Sequence, residues 1–137
     1  MAGGACLSYR TAVPVEPGLN AHVSLVVLEG DTALALRSGD VPVLATPRLI
    51  ALCEEAACLA VQGMLAQGHT SVGVRVQFDH LAPVRTGSQI VAEATLEKVE
   101  GRRLVFTVTA TDAAGLVGAG KVTRVIVERG DFLAKAR

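Results

Sequence analysis

The segment that decides the fold spans residues 46–68 and reads TPRLIALCEEAACLAVQGMLAQG. Thr46 is a residue type that favours a helix N-cap, Pro47 suits the first helical position, and Gly68 follows the last apolar residue of the periodic pattern. The predicted helix has about 20 residues and a length of about 30 Å. Its apolar side chains cover nearly every face, so we expect it to be buried on most sides by the rest of the chain.

The chain after this helix predicts a sheet. Four segments rich in Val, Thr, Leu and Phe are separated by turn signals at intervals of roughly 12 to 15 residues. In the first segment, Val72 and Val74 are predicted on one face and Ser71 and Gly73 on the other. We therefore predict four long antiparallel strands that form a meander, over residues 70–81, 88–99, 102–111 and 116–128.

The chain before the helix is less regular. Residues 22–28 read as a strand because they are rich in β-branched side chains, and residues 7–13 read as a short strand. Between them and the helix, residues 29–42 form a long loop in which residues 32–37 predict a helical turn. Long loops in compact domains are often lids or binding segments.

These elements define the fold class. A single sheet must cover an apolar helix, so it has to curl round it. The sequence thus predicts an α+β hot-dog fold, with one long central helix wrapped by a curved antiparallel sheet of five or six strands, as a single domain over residues 1–137. Such a sheet leaves open edges, which predicts a homodimer or a dimer of dimers.

Composition excludes several classes of protein. The chain has 137 residues, with 13 Lys and Arg against 13 Asp and Glu, and 50% of its residues are hydrophobic. A net charge of zero disfavours nucleic acid as a partner. Low charge and a mean hydropathy of +0.44 exclude disorder. No apolar run is long enough to span a membrane, and the first residues do not resemble a signal peptide, so we expect a cytoplasmic protein.

The cysteines support a reducing compartment. Cys6, Cys53 and Cys58 are odd in number and have no zinc-binding spacing. Cys53 and Cys58 lie five residues apart in the predicted helix, which separates them in azimuth, so we expect free thiols rather than a disulfide. His22 and His69 have no partners at metal-binding spacing, and we expect no metal and no cofactor.

Four polar residues are candidates for chemistry. Glu54 and Glu55 interrupt the apolar helix, His80 ends a long strand, and Thr46 lies at the helix N-terminus. Each also has a structural interpretation: a solvated carboxylate, an interface ion pair, an exposed strand end or a helix cap. Together, an alcohol at a helix N-terminus, a carboxylate and a histidine are the groups that acyl hydrolysis uses. Thr46 and Glu54 are about 12 Å apart along the helix, so they need His80, the substrate or a second subunit between them.

The order of these residues resembles the fluoroacetyl-CoA thioesterase family of hot-dog enzymes, from about residue 43 to the C-terminus. The resemblance implies a dimer that hydrolyses an acyl-CoA thioester without a metal or redox cofactor. It matches Thr46, Glu54 and His80 to the catalytic residues of the family, His80 as general base and the other two acting on the acyl group by nucleophilic or hydrogen-bonding roles. It further implies that Gly73 lines the acyl pocket and that Arg124 lies near the substrate. The motif that carries it comprises Thr46, Glu54, Gly73, His80, Pro83, Gly87, the segment 100–104, Gly118, Gly120 and Arg124.

One segment departs from the family. Residues 31–40, which carry aromatic lid residues in the namesake enzyme, contain no Phe, Tyr or Trp here. The resemblance therefore implies an acyl-CoA thioesterase and does not extend to selection of a fluorinated acyl group. The small side chains around Gly73 and the apolar helix favour a short to medium acyl group.

Other interpretations are weaker. A non-catalytic module that binds or senses acyl-CoA would have less reason to keep Thr46, Glu54 and His80 together. A hydratase on the same fold would require an Asp and a His a few residues apart, whereas Asp79 and His80 are adjacent. The segment 115–122 is close to a phosphate-binding loop, but Val122 replaces the Ser or Thr that holds Mg²⁺, and the segment continues as a strand.

Overall fold

A computed structural model describes residues 15–137 of the chain. The sheet is built from five strands in these residues, and one helix of 15 residues is by far the longest. Short helical segments occur before this helix and after the last strand. In chain order the elements are β1 (Asn20–Val26), a 3₁₀ turn (Glu29–Asp31), α1 (Ala33–Leu36), α2 (Thr46–Ala60), β2 (His69–His80), β3 (Gln89–Glu100), β4 (Arg103–Asp112), β5 (Gly115–Glu128) and α3 (Arg129–Ala134).

The sheet is antiparallel throughout, and its strand order is β1-β3-β4-β5-β2. Helix α2 packs on it, mainly against β1 and β3. The α+β hot-dog architecture expected from the sequence is therefore confirmed, with five strands in the described part of the chain. The predicted helical turn at 32–37 is confirmed as α1, which the Thr32 hydroxyl caps by accepting a hydrogen bond from the Ala35 amide. The strand predicted at 7–13 lies outside the described residues.

The predicted four-strand meander is wrong at its first strand. Only β3, β4 and β5 follow one another across the sheet, whereas β2 pairs with β5 at the far edge. The connection from β2 to β3 is therefore not a tight turn: it crosses from one edge of the sheet, past β5 and β4, to β3. The backbone of this crossover is held by hydrogen bonds from the Leu44 amide to the Val84 carbonyl (2.8 Å) and from the Gly87 amide to the Val27 carbonyl (2.8 Å).

The central helix is shorter than predicted, and Thr46 is not its cap. Ala45 occupies the N-cap position, and the helix ends at Ala60. Val61 is the C-cap, and its amide donates to the Cys58 and Leu59 carbonyls. The segment beyond it turns through Gly63, which has a positive φ of 79°. One strip of the helix is open to solvent in the single chain, and the opposite side is packed on the sheet. The buried side chains are Leu49, Leu52, Cys53, Ala56, Ala57 and Ala60.

Strand β2 contains an irregularity that decides where its side chains point. Its register with β5 shifts between Gly73 and Arg75, so Val74 forms a bulge. A one-residue insertion reverses the alternation of faces. Gly73, before the bulge, and Phe78 and His80, after it, therefore all face the helix, although the sequence alternation predicted opposite faces for Gly73 and Phe78.

Strands β5 and β2 approach each other closely at two glycines. A Cβ atom on Gly118 would lie 2.6 Å from the Phe78 ring, and one on Gly120 would lie 2.7 Å from the Phe78 Cα and overlap the Gln77 carbonyl oxygen. Real Cβ atoms do not make such contacts. These two glycines of the family motif thus serve close strand packing around Phe78.

No helix in residues 15–137 is long and apolar enough to cross a membrane.

We predict that Gly120→Ala destabilises the fold by about 1–3 kcal/mol, because the new methyl group would overlap backbone atoms that cannot move independently. The matched control is Gly30→Ala, whose Cβ has no neighbour within 4 Å and which should stay within about 1 kcal/mol of the wild type. Urea unfolding followed by circular dichroism, at one protein concentration, measures both. Equal stabilities of the two variants would contradict the close approach.

Candidate active site

Thr46 and His80 meet at the N-terminus of α2. The Thr46 hydroxyl oxygen lies 2.8 Å from His80 Nδ1, at hydrogen-bond distance. Thr46 is the first residue of the helix and Ala45 its N-cap, so the Thr46 hydroxyl is not used for capping and is directed to the end of β2. His80 Nε2 is buried and has no hydrogen-bond partner within residues 15–137. The His80 ring is therefore oriented by the contact at Nδ1, whereas Nε2 makes no hydrogen bond with these residues.

A cavity of about 320 Å³ opens beside this pair. One wall is formed by Thr46 and His80 with the segment that follows β2, and the other by the loop between β1 and α2. The side chains on the loop wall are small or aliphatic. The loop residues that line it are Ala33, Ser38, Gly39, Val41, Val43 and Leu44.

The loop is fastened to the start of α2 by Asp31. Its carboxylate accepts hydrogen bonds from Arg48 Nε (2.9 Å) and from the Leu28 amide (2.8 Å), and its carbonyl accepts one from the Ala45 amide (2.9 Å). These contacts hold the loop wall against the residues that flank Thr46. Sequence reasoning missed Asp31, because its partner Arg48 is 17 residues away and only the fold brings them together.

The predicted carboxylate lies in a second cluster on the same helix. Glu54 Oε2 accepts a hydrogen bond from Arg124 Nη1 at 3.2 Å, and the Arg124 side chain is only 9% exposed. Ser71 holds the other side of the guanidinium: its hydroxyl accepts from Nε (2.9 Å) and its carbonyl accepts from Nη2 (2.9 Å). Gly73 leaves room for the carboxylate, since a Cβ there would lie 2.5 Å from Glu54 Oε2.

The structure thus brings the predicted residues together in two groups and not in one. Thr46 and His80 form the first group, and Glu54, Gly73 and Arg124 form the second with Ser71. Thr46 and Glu54 are eight positions apart in the helix, which corresponds to about 12 Å along its axis. Neither Ser71 nor its two contacts with Arg124 could be read from the sequence, because a serine in a strand of alternating residues carries no signal of its own.

The remaining titratable candidates have simpler surroundings. Glu55 is exposed on the open strip of the helix, and His69 Nδ1 lies 3.1 Å from the Gln67 carbonyl at the start of β2. Within residues 15–137, no three His, Cys, Asp or Glu side chains are arranged to hold a metal ion.

Cys53 is buried next to this second cluster, and Cys58 is exposed in the single chain. Burial, and to a smaller extent the neighbouring Glu54 charge, raise the pKa of the Cys53 thiol to about 12. Since the thiolate is the nucleophilic form, Cys53 is inert at neutral pH. The expected pair of free thiols is confirmed for these two cysteines, and Cys6 lies outside the described residues.

Comparison with known proteins identifies the family. The sequence matches the model of the FlK family, described as fluoroacetyl-CoA-specific thioesterase, over residues 27–130. A fluoroacetyl-CoA thioesterase of Streptantibioticus cattleyicolor is 34% identical over 95 residues, which cover 69% of this chain and 68% of that protein. The chain therefore belongs to the fluoroacetyl-CoA-specific thioesterase family.

Solved structures agree with this assignment. A variant of the thioesterase FlK in complex with fluoroacetate and CoA superposes with a TM-score of 0.80 at 28% identity, over 86% of this chain and 99% of that one. A Thermus thermophilus protein described as a thioesterase superfamily member gives a TM-score of 0.82 at 30% identity, over 89% and 90% of the two chains. These similarities show a hot-dog thioester hydrolase and give no support to a non-catalytic module.

We predict that a thiol reagent at pH 8 leaves Cys53 unmodified in the native protein. Both cysteines lie in the tryptic peptide 49–75, so mass spectrometry of that peptide reports on them together. In a Cys58→Ser variant the native peptide should stay unlabelled and should become labelled once the protein is unfolded in denaturant. Labelling of native Cys53 at the rate seen in denaturant would contradict its burial.

The same pKa shift has a consequence for stability. The thiol has an ordinary pKa of 9.0 and a folded pKa of about 12, so the folded state binds more protons between these values. The contribution of Cys53 to stability is therefore complete below pH 9 and is lost as the pH rises toward 12.

Proposed function

We propose that this thioesterase hydrolyses short- to medium-chain acyl-CoA to the free acid and CoA, and that Thr46, Glu54 and His80 are its catalytic residues. The observation that carries the proposal is the 2.8 Å contact between the Thr46 hydroxyl and His80 Nδ1 at the N-terminus of a buried helix. An alcohol, a base within hydrogen-bond reach and a helix N-terminus are the components that acyl transfer requires.

His80 serves as the general base. Its Nδ1 accepts the proton from Thr46, or from a water molecule in the same place, and the freed oxygen attacks the thioester carbonyl. The C–S bond then breaks, and the CoA thiolate leaves and takes up the proton from His80. If water is the nucleophile, the free acid forms in this step; if Thr46 or Glu54 attacks, a second step follows in which water, deprotonated by His80, hydrolyses the acyl-enzyme to the free acid and restores the side chain. Amides in the first helical turn have no acceptor within the helix; because Pro47 has no N–H, those of Thr46 and Arg48 are the donors that can face the oxyanion.

Glu54 and Arg124 act at the other side of the acyl group. Glu54 either orients the attacking oxygen or takes the acyl group transiently, so that Thr46, Glu54 and water are the three candidate nucleophiles. Arg124 binds Oε2 of Glu54 at 3.2 Å and thereby fixes the carboxylate beside Gly73. Gly73 and Arg124 thus form the floor of the acyl site.

A homodimer supplies what the single chain lacks, since about 12 Å separates Thr46 from Glu54. Strand β2 is an edge of the sheet, and Val74 and Val76 in its centre are 51% and 37% exposed. An open edge with apolar side chains is a template for pairing with a second strand. Antiparallel pairing of two β2 strands would continue the sheet through both subunits.

The register of such a dimer can be derived from the two groups. A two-fold axis normal to the sheet at Gln77 would set Gln77 opposite its own copy. Because the bulge at Val74 adds one residue to each strand, His80 would then lie opposite the partner subunit's Gly73, and thereby beside the partner subunit's Glu54. Two equal active sites would form, each with residues of both subunits. The site then contains every residue that the family resemblance implies.

The loop wall argues for the substrate class. Residues 31–40 place Ala33, Ser38 and Gly39 against the cavity beside Thr46 and contain no aromatic side chain. A wall of small side chains holds an acyl chain by its apolar surface and offers no aromatic face to a halogen. The cavity of about 320 Å³ is at the small end of ligand pockets, which favours short to medium acyl groups.

We further propose that the whole chain, residues 1–137, forms one domain and that it works in the cytoplasm. Free Cys53 and Cys58 are typical of a reducing compartment. Neither a metal nor a redox cofactor is needed for the steps above.

We predict that release of CoA, followed with a thiol reagent, reveals hydrolysis of one class in a panel of short, medium and aromatic acyl-CoA substrates. His80→Ala should lower kcat by about 10²–10⁴-fold, because it removes the base, and Thr46→Ala should lower it while Thr46→Ser retains activity. The matched control, His69→Ala, should leave kcat unchanged.

An unchanged rate in His80→Ala would contradict the assignment of the base. A wild-type protein that binds acyl-CoA in calorimetry without hydrolysing it would favour the binding module, and one that does neither would overturn the proposed function.

We predict that the protein is a dimer whose stability depends on charge at position 75. In the proposed register Arg75 faces the partner subunit's Asp79. Arg75→Asp would set two carboxylates opposite each other and should weaken the dimer, whereas Arg75→Lys would keep the ion pair and should retain it. Light scattering coupled to size exclusion measures both against the chain mass of 14.1 kDa. Equal behaviour of the two variants would contradict the register, and a monomeric wild type would contradict the dimer.

A further inference from the structure

We infer that Ser71 is a positioning residue for the hydrolysis: it fixes the Arg124 guanidinium and, through it, the Glu54 carboxylate. The inference rests on the proposed function, in which Glu54 acts on the acyl group. Ser71 itself is separated from the acyl site by the arginine and acts only through it.

Ser71 holds two of the three nitrogen atoms of the guanidinium. Its hydroxyl accepts from Nε and its backbone carbonyl accepts from Nη2, both at 2.9 Å. The guanidinium is planar, so two contacts from one residue fix both its position and the orientation of its plane. The third nitrogen, Nη1, is then directed at Glu54 Oε2, 3.2 Å away.

The burial of Arg124 makes this contact necessary. Its side chain is 9% exposed, so water cannot replace a lost partner at Nε. The Glu54 side chain is 34% exposed and could adopt other conformations if the guanidinium moved. Ser71 thus holds the Arg124 guanidinium in place, and the guanidinium in turn holds the more exposed Glu54 carboxylate.

The contacts around Gly73 show that the Glu54 carboxylate has little space. A Cβ at this position would lie 2.5 Å from Glu54 Oε2 and 3.5 Å from Arg124 Nη1. Small displacements of the guanidinium would therefore press the carboxylate against the β2 backbone or release it toward solvent. Since the ion pair uses Oε2, the correct position of Arg124 leaves Oε1 for the acyl group.

The backbone carbonyl of Ser71 persists in any variant, so the hydroxyl is the part that substitution can test. Ser71→Ala should lower kcat by about 10- to 100-fold, as expected for loss of a hydrogen bond to a buried charged group, with KM changed much less. Ser71→Thr restores the hydroxyl and should recover most of kcat; Ser71 borders a cavity of about 410 Å³ that can take the added methyl group. Thr70→Ala, the neighbouring hydroxyl deletion without contact to Arg124, is the matched control.

A double-mutant cycle separates positioning from general destabilisation. In an Arg124→Gln background, Ser71→Ala should cause no further loss of kcat, because the group that it positions is already absent. A structural defect would instead lower kcat by the same factor in both backgrounds.

The Nε–H signal of Arg124 in ¹H–¹⁵N NMR reports on the contact without any substrate. It should be protected from exchange at neutral pH in the wild type and in Ser71→Thr, lost in Ser71→Ala, and assigned by its absence in Arg124→Lys. An active Ser71→Ala enzyme with unchanged kcat, or with the protected signal, would overturn the positioning role alone. A wild type that hydrolyses no acyl-CoA would overturn the proposed function and the catalytic part of this inference, while the NMR signal would still show whether Ser71 holds Arg124.

Discussion

The structure depends on one constraint, the burial of an apolar helix by a single sheet. Six side chains of α2 are buried, and one sheet can enclose them only by curling round the helix. Because the sheet curls, β2 runs along the helix. His80 at the end of β2 therefore contacts Thr46, and Gly73 lies against Glu54. The same arrangement leaves β2 at an open edge of the sheet. The fold, the geometry of the candidate site and the open edge on which the proposed dimer rests therefore follow from the same packing requirement.

The bulge at Val74 determines which side chains of β2 face the helix. In a regular strand, Gly73 and His80 would face opposite sides of the sheet, since they are seven positions apart and faces alternate at every residue. The register shift between Gly73 and Arg75 reverses the alternation once, and both residues face the helix. An extra residue in one strand thus places two of the proposed site residues on the inner face of β2, and bulges next to active sites often redirect side chains in this way.

The periodicity of the sequence predicted the helix and the strands. The order of the strands in the sheet and the side-chain contacts became known only from the structure. The helix and all five strands of residues 15–137, including β1, which overlaps the strand predicted at 22–28, could be read from patterns that local burial imposes. The place of β2 beyond β5 could not, because the segment 81–88 reads equally well as a turn or as a crossover. Residue types also identified Thr46, Glu54 and His80, yet Thr46 was expected to cap the helix and instead contacts His80. Ser71 and Asp31 were not predicted as site residues, because the residues that they contact are distant in sequence.

The pair of Glu54 and Arg124 is difficult to explain as a device for stability. Removing a guanidinium from water costs several kcal/mol, and an apolar pair of similar volume is often as stable or more stable. The pair is also asymmetric, since Arg124 is buried and Glu54 is partly exposed. A buried cation that fixes a partly exposed carboxylate suits the proposed role of Glu54 in the acyl site, so this asymmetry favours a role of the cluster in the chemistry over one in packing alone.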